Sequence, residues 1–166
     1  GTGNFISKEN AGNTTATVSK SFAMGSAVLP AVVLLVIFGR AVNVETINLL
    51  NLKVIVGLLI GGLLPFIFSA LTIGAVGRTA ERIVREARRQ FKEIIGLTVG
   101  QAEPDYKKCI EISTLAALRQ MIGPGLLIIM APIVVGFGLG VASLAGLLAG
   151  SITVGFLLAV FMNNAG

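Results

Sequence analysis

Residues 54–77 read VIVGLLIGGLLPFIFSALTIGAVG, 24 positions without a charge, bounded by Lys53 and Arg78. At about 1.5 Å per residue, a helix of that length crosses the roughly 30 Å hydrocarbon layer of a bilayer. The pattern repeats outward in both directions. Residues 21–39, between Lys20 and Arg40, form a second charge-free run of 19. After Arg119 no charge appears before Gly166, a stretch of 47 residues that suits two crossings joined by a tight turn. The alternate glycines Gly136, Gly138 and Gly140 predict that turn, because glycine reverses a chain without a Cβ clash. The expected fold class is therefore all-α, a polytopic transmembrane helix bundle with helices over 21–39, 54–77, 110–137 and 142–162. The third would carry Pro124 and Pro132, tolerated in a membrane helix where neighbours re-satisfy the freed carbonyls.

Composition points the same way. The 166 residues are 54% hydrophobic and 13% charged, whereas a soluble domain is about a quarter charged. Mean hydropathy is +0.89, Trp is absent and Gly numbers 21, a mix suited to helices packed closely in lipid. Cys109 is the single cysteine and there is no His, so neither an internal disulfide nor a zinc site is expected. Net charge is +5, but the cations are concentrated in one stretch, and no base-stacking aromatics interleave with its Arg residues. That argues against nucleic acid as a partner and makes the charge a matter of topology. The chain opens at Gly1 rather than Met, closes in or just after an apolar run, and has no signal-peptide pattern. A single transmembrane fragment over 1–166 is expected, with the lipid bilayer and the rest of the same polypeptide as its partners.

The basic stretch is the connection 78–108. It holds Arg78, Arg82, Arg85, Arg88, Arg89, Lys92, Lys107 and Lys108 against Glu81, Glu86, Glu93, Glu103 and Asp105. Such an excess of cations places the connection in the cytoplasm, and crossing parity puts the lead-in 1–20, with Lys8 and Lys20, on the same side. Glu81 with Arg85 and Arg82 with Glu86 fall at i,i+4, beside an apolar stripe of Ile83, Val84, Ala87 and Phe91. The second span is thus expected to continue into the cytoplasm as an amphipathic helix. Gly57 and Gly61, like Gly146 and Gly150 with Ala142 one step before, have the GxxxG spacing that lets helix backbones approach.

Lys20 and Arg119 are the cations at the edge of, or within, an apolar span, where an unpaired charge costs about 2.5–3.5 kcal/mol on insertion scales. Lys20 either faces a polar partner or snorkels to the cytoplasmic interface. Arg119 serves either an ion path or interhelical pairing. Ahead of Lys20 stands Gly12-Asn13-Thr14-Thr15-Ala16-Thr17. If helical from about Asn13, this segment puts Asn13, Ala16 or Thr17, and Lys20 on one face, aiming a carboxamide and an ammonium at one ligand from a helix N-terminus. Phosphate is the anion such donors favour, while a Thr/Asn-rich helix cap explains the same residues.

Residues 12–27, GNTTATVSKSFAMGSA, resemble the pattern of membrane-bound, ion-pumping pyrophosphatases, in which GNTTAA precedes a glycine-flanked lysine and then FAIGSA. Further stretches match in order: Leu64-Pro65-Phe66 through Leu71-Thr72, Ala87-Arg88-Arg89-Gln90-Phe91, and Pro104-Asp105-Tyr106 through Thr114. Leu118-Arg119-Gln120-Met121-Ile122 and the closing Asn163-Asn164-Ala165-Gly166 complete the series. The family resemblance implies a sixteen-helix homodimer, of which this chain would supply the twelfth to fifteenth helices. It implies hydrolysis of pyrophosphate at a cytoplasm-facing Mg2+ site, coupled to transport of H+ or Na+. Asn13 and Lys20 would be substrate-binding residues. Ala16 would mark dependence on K+, since K+-independent members carry lysine there. No catalytic carboxylate is implied within 1–166. Glu9, where many members carry aspartate, would be the possible metal ligand, and the piece alone would be incomplete and inactive. Ser19 and Ser21 stand where glycines usually flank the lysine. Two other readings compete, a non-enzymatic transporter or channel subunit and a structural anchor. An acidic, lysine-bearing motif after Gly166 and aspartate-rich helices before Gly1 would separate the pump from both.

Overall fold

The computed structural model describes residues 2–165. Gly1, which opens the expected lead-in, and Gly166, which closes the last matched stretch, lie outside the described residues. Among these, every regular element is an α-helix: α1 (Thr2–Ala41), α2 (Leu52–Glu93), α3 (Tyr106–Gln120), α4 (Ile122–Leu139) and α5 (Val141–Ala165). Four stretches, Ile6–Ala41, Leu52–Glu93, Tyr106–Leu139 and Val141–Asn164, are long and apolar enough to cross a membrane. The chain is a polytopic helical bundle segment.

Three boundaries differ from those expected, each for a local reason. α1 does not begin at residue 21 but runs through the whole lead-in. The Thr15 and Thr17 hydroxyls donate to the Ala11 and Asn13 carbonyls one turn back, at 2.8 and 3.0 Å, so the polar run stays inside the helix instead of capping it. The expected third helix, 110–137, begins earlier and is two helices. Asp105 caps α3, its Oδ1 accepting from the Lys108 backbone N–H at 3.0 Å. The helix then breaks at Met121, because Pro124 has no N–H to give the Gln120 carbonyl. The reversal before α5 needs only one of the three glycines. Gly140 has φ +97°, while Gly136 and Gly138 remain within α4. Between α1 and α2, Asn43 takes the left-handed conformation at φ 55°, and Asn51 caps α2 by accepting from the Lys53 N–H at 2.9 Å.

The helices fall into two compact units, Gly1–Phe66 with Pro132–Gly166, and Ile67–Ala131. In the first, α5 is central. Its Gly146 and Gly150 interlock with Gly57 and Gly61 of α2: a Cβ on Gly57 would enter the Ser143 carbonyl and one on Gly61 that of Leu147, while Gly146 lies against Val54 and Gly150 against Leu58. The offset is constant in sign, so the two segments run parallel. The closeness also lets side chains bridge them, Ser143 donating to the Lys53 carbonyl at 2.8 Å and Ser151 to the Gly61 carbonyl at 3.0 Å. Ser143 rather than Ala142 extends the small-residue row, and it is fully buried.

α1 packs on the other side of α5. Met24, Val28, Ala31, Leu35 and Phe38, spaced four and three apart, form its less exposed stripe. Ala145 lies beside residues 35–45, and residues 151–159 lie beside Met24, Ala27, Val28 and Ala31. The two helices are therefore antiparallel, and the last turn of α5 stands level with the segment of α1 around Lys20.

The second unit is an antiparallel helical hairpin, the distal half of α2 against α3. Small residues line its seam, with Ala75 7% and Ala116 2% exposed. One carboxamide fastens each end. Near the apolar spans, Gln120 accepts from Arg78 Nε at 3.1 Å and donates to Thr79 Oγ1 at 2.9 Å. Near the tip, Gln90 pairs with the Asp105 backbone, donating to its carbonyl at 3.1 Å and accepting from its N–H at 2.8 Å.

Candidate functional site

Asn13, Thr17 and Lys20 continue, toward the N-terminus, the same stripe of α1 that carries Met24, Val28 and Ala31 against α5. Each successive pair is three or four residues apart, so all lie within a narrow arc of the helix. Asn13 and Lys20 thus share a face, as their spacing requires, and both are exposed. Ala16 lies at the margin of that arc, and Glu9 is one turn further out; both are exposed. The expected helix N-terminus at Asn13 is replaced by mid-helix, so the backbone N–H groups there are consumed internally and offer an anion nothing. Any anion selectivity comes from the side chains, three ammonium donors on Lys20 and a carboxamide on Asn13.

Asn163 is the residue that sequence reasoning left unassigned here. It occupies the last turns of α5, on the side that lines the α1–α5 seam, and its Oδ1 is buried without a hydrogen-bond partner. An Asn in a terminal turn, here beside a second one at Asn164, carries no sequence signal that separates it from a cap.

Arg119 lies in the last turn of α3 and is exposed. Among the described residues the bonds from this turn to α2 are made by its neighbour Gln120, which faces Arg78 and Thr79. A 100° turn per residue sends Arg119 to a different side of the helix.

Near the hairpin tip the charge pattern is also rearranged. Glu81 pairs with Arg85 at 3.4 Å as the spacing predicts. Glu86, expected to pair with Arg82, is instead held by one edge of the Arg89 guanidinium, Nη2 and Nε donating at 2.6 and 2.9 Å, with a third bond from Gln90 at 2.9 Å. A bidentate fork outcompetes a single-point contact, and an Arg placed before a Glu at i,i+4 opposes the helix dipole. Arg89 also bonds Glu93. Donation by Arg89 first, and Gln90 next, pulls the Glu86 carboxyl down to about 2, and the same carboxylates raise Arg89. The apolar stripe shifts accordingly: Gln90 is the residue buried, at 2% exposure, while Phe91 is exposed.

Among the described residues no three His, Cys, Asp or Glu side chains come together as a metal-binding group. Glu9 stands alone and exposed on α1, and Asn13 and Lys20 share one exposed face of the same helix.

The sequence model of the family described as inorganic H+ pyrophosphatase matches residues 5–166. The chain belongs to this family. Its similarity extends to a putative K+-stimulated pyrophosphate-energized sodium pump of Clostridium tetani, 49% identical over 95% of this chain and 24% of that protein. A K+-insensitive pyrophosphate-energized proton pump of Methanosarcina mazei is 46% identical, over 95% of this chain and 24% of its own length. A K+-stimulated pyrophosphate-energized sodium pump of Thermotoga maritima is 40% identical, over 93% and 23%. The chain spans about a quarter of the length of these curated relatives. Within the H+ pyrophosphatase family, identity of this order covers both K+-stimulated and K+-insensitive proteins and both transported ions. Overall similarity therefore does not separate those properties.

Proposed function

We propose that this chain supplies part of the substrate site and pump core of a membrane-embedded pyrophosphatase that couples hydrolysis of pyrophosphate to transport of H+ or Na+. The observation that carries the reading is the conjunction of family membership over residues 5–166 with one α1 stripe bearing Asn13 and Lys20. Lys20 neutralises phosphoryl oxygen charge, Asn13 orients a second oxygen by its carboxamide, and the rigid helix fixes their separation. When bound, Mg2+ would gather and polarise the phosphoryl oxygens. The carboxylates for that ion lie outside residues 2–165 in this reading, so no step here passes through it. The substrate faces the cytoplasm, on the side of the basic connection 78–108, and the whole polypeptide acts as a homodimer.

K+ is the activator in this reading. Ala16, one turn before Lys20, leaves empty the position that a lysine ammonium fills in K+-independent members of the resembling family. In the full-length protein, Lys20→Ala lowers Mg2+-dependent pyrophosphate hydrolysis by about two orders of magnitude, the usual loss for one electrostatic contact to a developing charge. Wild-type turnover in that variant overturns the assignment. Ala16→Lys removes stimulation by K+, read as the ratio of rates with and without the ion.

A further inference from the structure

The α1–α5 seam is apolar along most of its length and is marked by an open groove of about 300 Å3, lined by Met24, Val28 and Ala31 on one side and Ser151, Gly155 and Ala159 on the other. One turn beyond Met24 on α1 is Lys20. One turn beyond Ala159 on α5 is Asn163. Because the helices are antiparallel, these next turns meet at the same level, and both are polar. Asn163 carries the buried acceptor without a donor, and native structures rarely leave such a group unmatched. The donor that the facing turn offers is the Lys20 ammonium, with three protons on a flexible four-carbon stem.

We propose that Asn163 is a positioning residue for Lys20, its Oδ1 accepting from the ammonium and holding that charge at the mouth of the α1–α5 seam. A lysine fixed this way presents its remaining protons in the direction of Asn13, two turns further along the same stripe. Without Asn163 the ammonium samples many rotamers and must be ordered again at each binding event. This inference rests on the reading of Lys20 as a ligand of the substrate.

The test is a double-mutant cycle in the full-length protein: wild type, Lys20→Ala, Asn163→Ala and the double variant, each titrated with imidodiphosphate in the presence of Mg2+. A non-hydrolysable analogue lets inactive variants be measured. Asn163→Ala is expected to weaken binding roughly tenfold, the worth of one hydrogen bond to a charged group, and to add nothing once Lys20 is gone. Asn163→Asp, which keeps an acceptor in place, is expected to bind at least as tightly as wild type. Equal tenfold losses in both backgrounds, or wild-type binding by Asn163→Ala, overturn the proposal. Should Asn163→Ala fail to fold, Asn163→Ser, whose hydroxyl is too short to span the seam, takes its place under the same criteria. If Lys20→Ala alone binds the analogue as wild type does, the reading of Lys20 itself falls; if it is impaired and the losses add, only the role of Asn163 does.

Discussion

Glu86 illustrates how one side chain can set the order of a loop. Its carboxylate holds Arg89 and Gln90, and Gln90 in turn holds the Asp105 backbone, so the segment 94–105 is pinned through a chain of contacts that begins at one charge. Its carboxyl titrates near 2 instead of the ordinary 4.5, chiefly because Arg89 and then Gln90 donate to it. A depressed carboxylate contributes stability that is complete above the ordinary value and disappears as pH falls through the folded one. Amide protection of segment 94–105, corrected for intrinsic exchange, should therefore be flat above about pH 5 and decline as pH falls from about 4.5 toward 2. Glu86→Gln should abolish that step. A step of equal size in the variant would mean that another acid, such as Asp105 at the α3 cap, governs the loop.

At the scale of elements, the tightest constraint is the pair α2–α5. A Cβ on Gly57 or Gly61 would enter backbone carbonyls of α5, which cannot swing aside as a side chain can, whereas a Cβ on Gly77 meets nothing within 4 Å. Gly57→Val should lower the melting temperature of the full-length protein substantially, since the helices must separate and release the Ser143 and Ser151 bridges. Gly77→Ala should leave it equal or slightly higher, in line with the helix propensity gain of about 1 kcal/mol. Equal melting temperatures for wild type and Gly57→Val would count against the close approach. The glycine spacing was legible in the sequence because backbone contact in lipid demands small residues at a fixed period. Which glycines meet was not, because register depends on both partners. The same divide holds elsewhere. Charge-free runs located α2 and α5 to within a few residues at their membrane ends, since hydrocarbon excludes charge. The passage of α1 through Asn13–Thr17 was hidden, because Thr favours caps and strands unless its hydroxyl turns back onto the helix. The burial of Gln90 in place of Phe91 was hidden too, since a polar residue enters a seam only where both its amide groups find partners.

For the whole molecule, the charge pattern of the sequence and the arrangement within the first unit bear on the same question, the side on which Lys20 lies. Antiparallel α1 and α5 put the Asn13–Lys20 segment and the end of α5 together, and put the residues 42–51 and the Gly140 turn at the opposite end. In the proposed function the cation excess of 78–108 over the uncharged Gly140 turn marks the cytoplasmic side, and parity places Lys20 with it. A substrate site made by Lys20 requires this, because pyrophosphate is a cytoplasmic anion in the proposed function. The prediction is a labelling pattern in oriented vesicles. With the native thiol removed by Cys109→Ser, single cysteines at Lys8 and Arg88 should react with a membrane-impermeant maleimide from the cytoplasmic face alone. One at Asn43, in the exposed turn after α1, should react from the other face alone. Arg88 is exposed, so burial does not mask it, and it makes no bond whose loss would disturb the hairpin clamps. Reaction of Lys8→Cys and Arg88→Cys from opposite faces would require an odd number of crossings between them. Lys20 could then not share a compartment with the basic hairpin, and the pump reading would lose its geometry along with its charge argument.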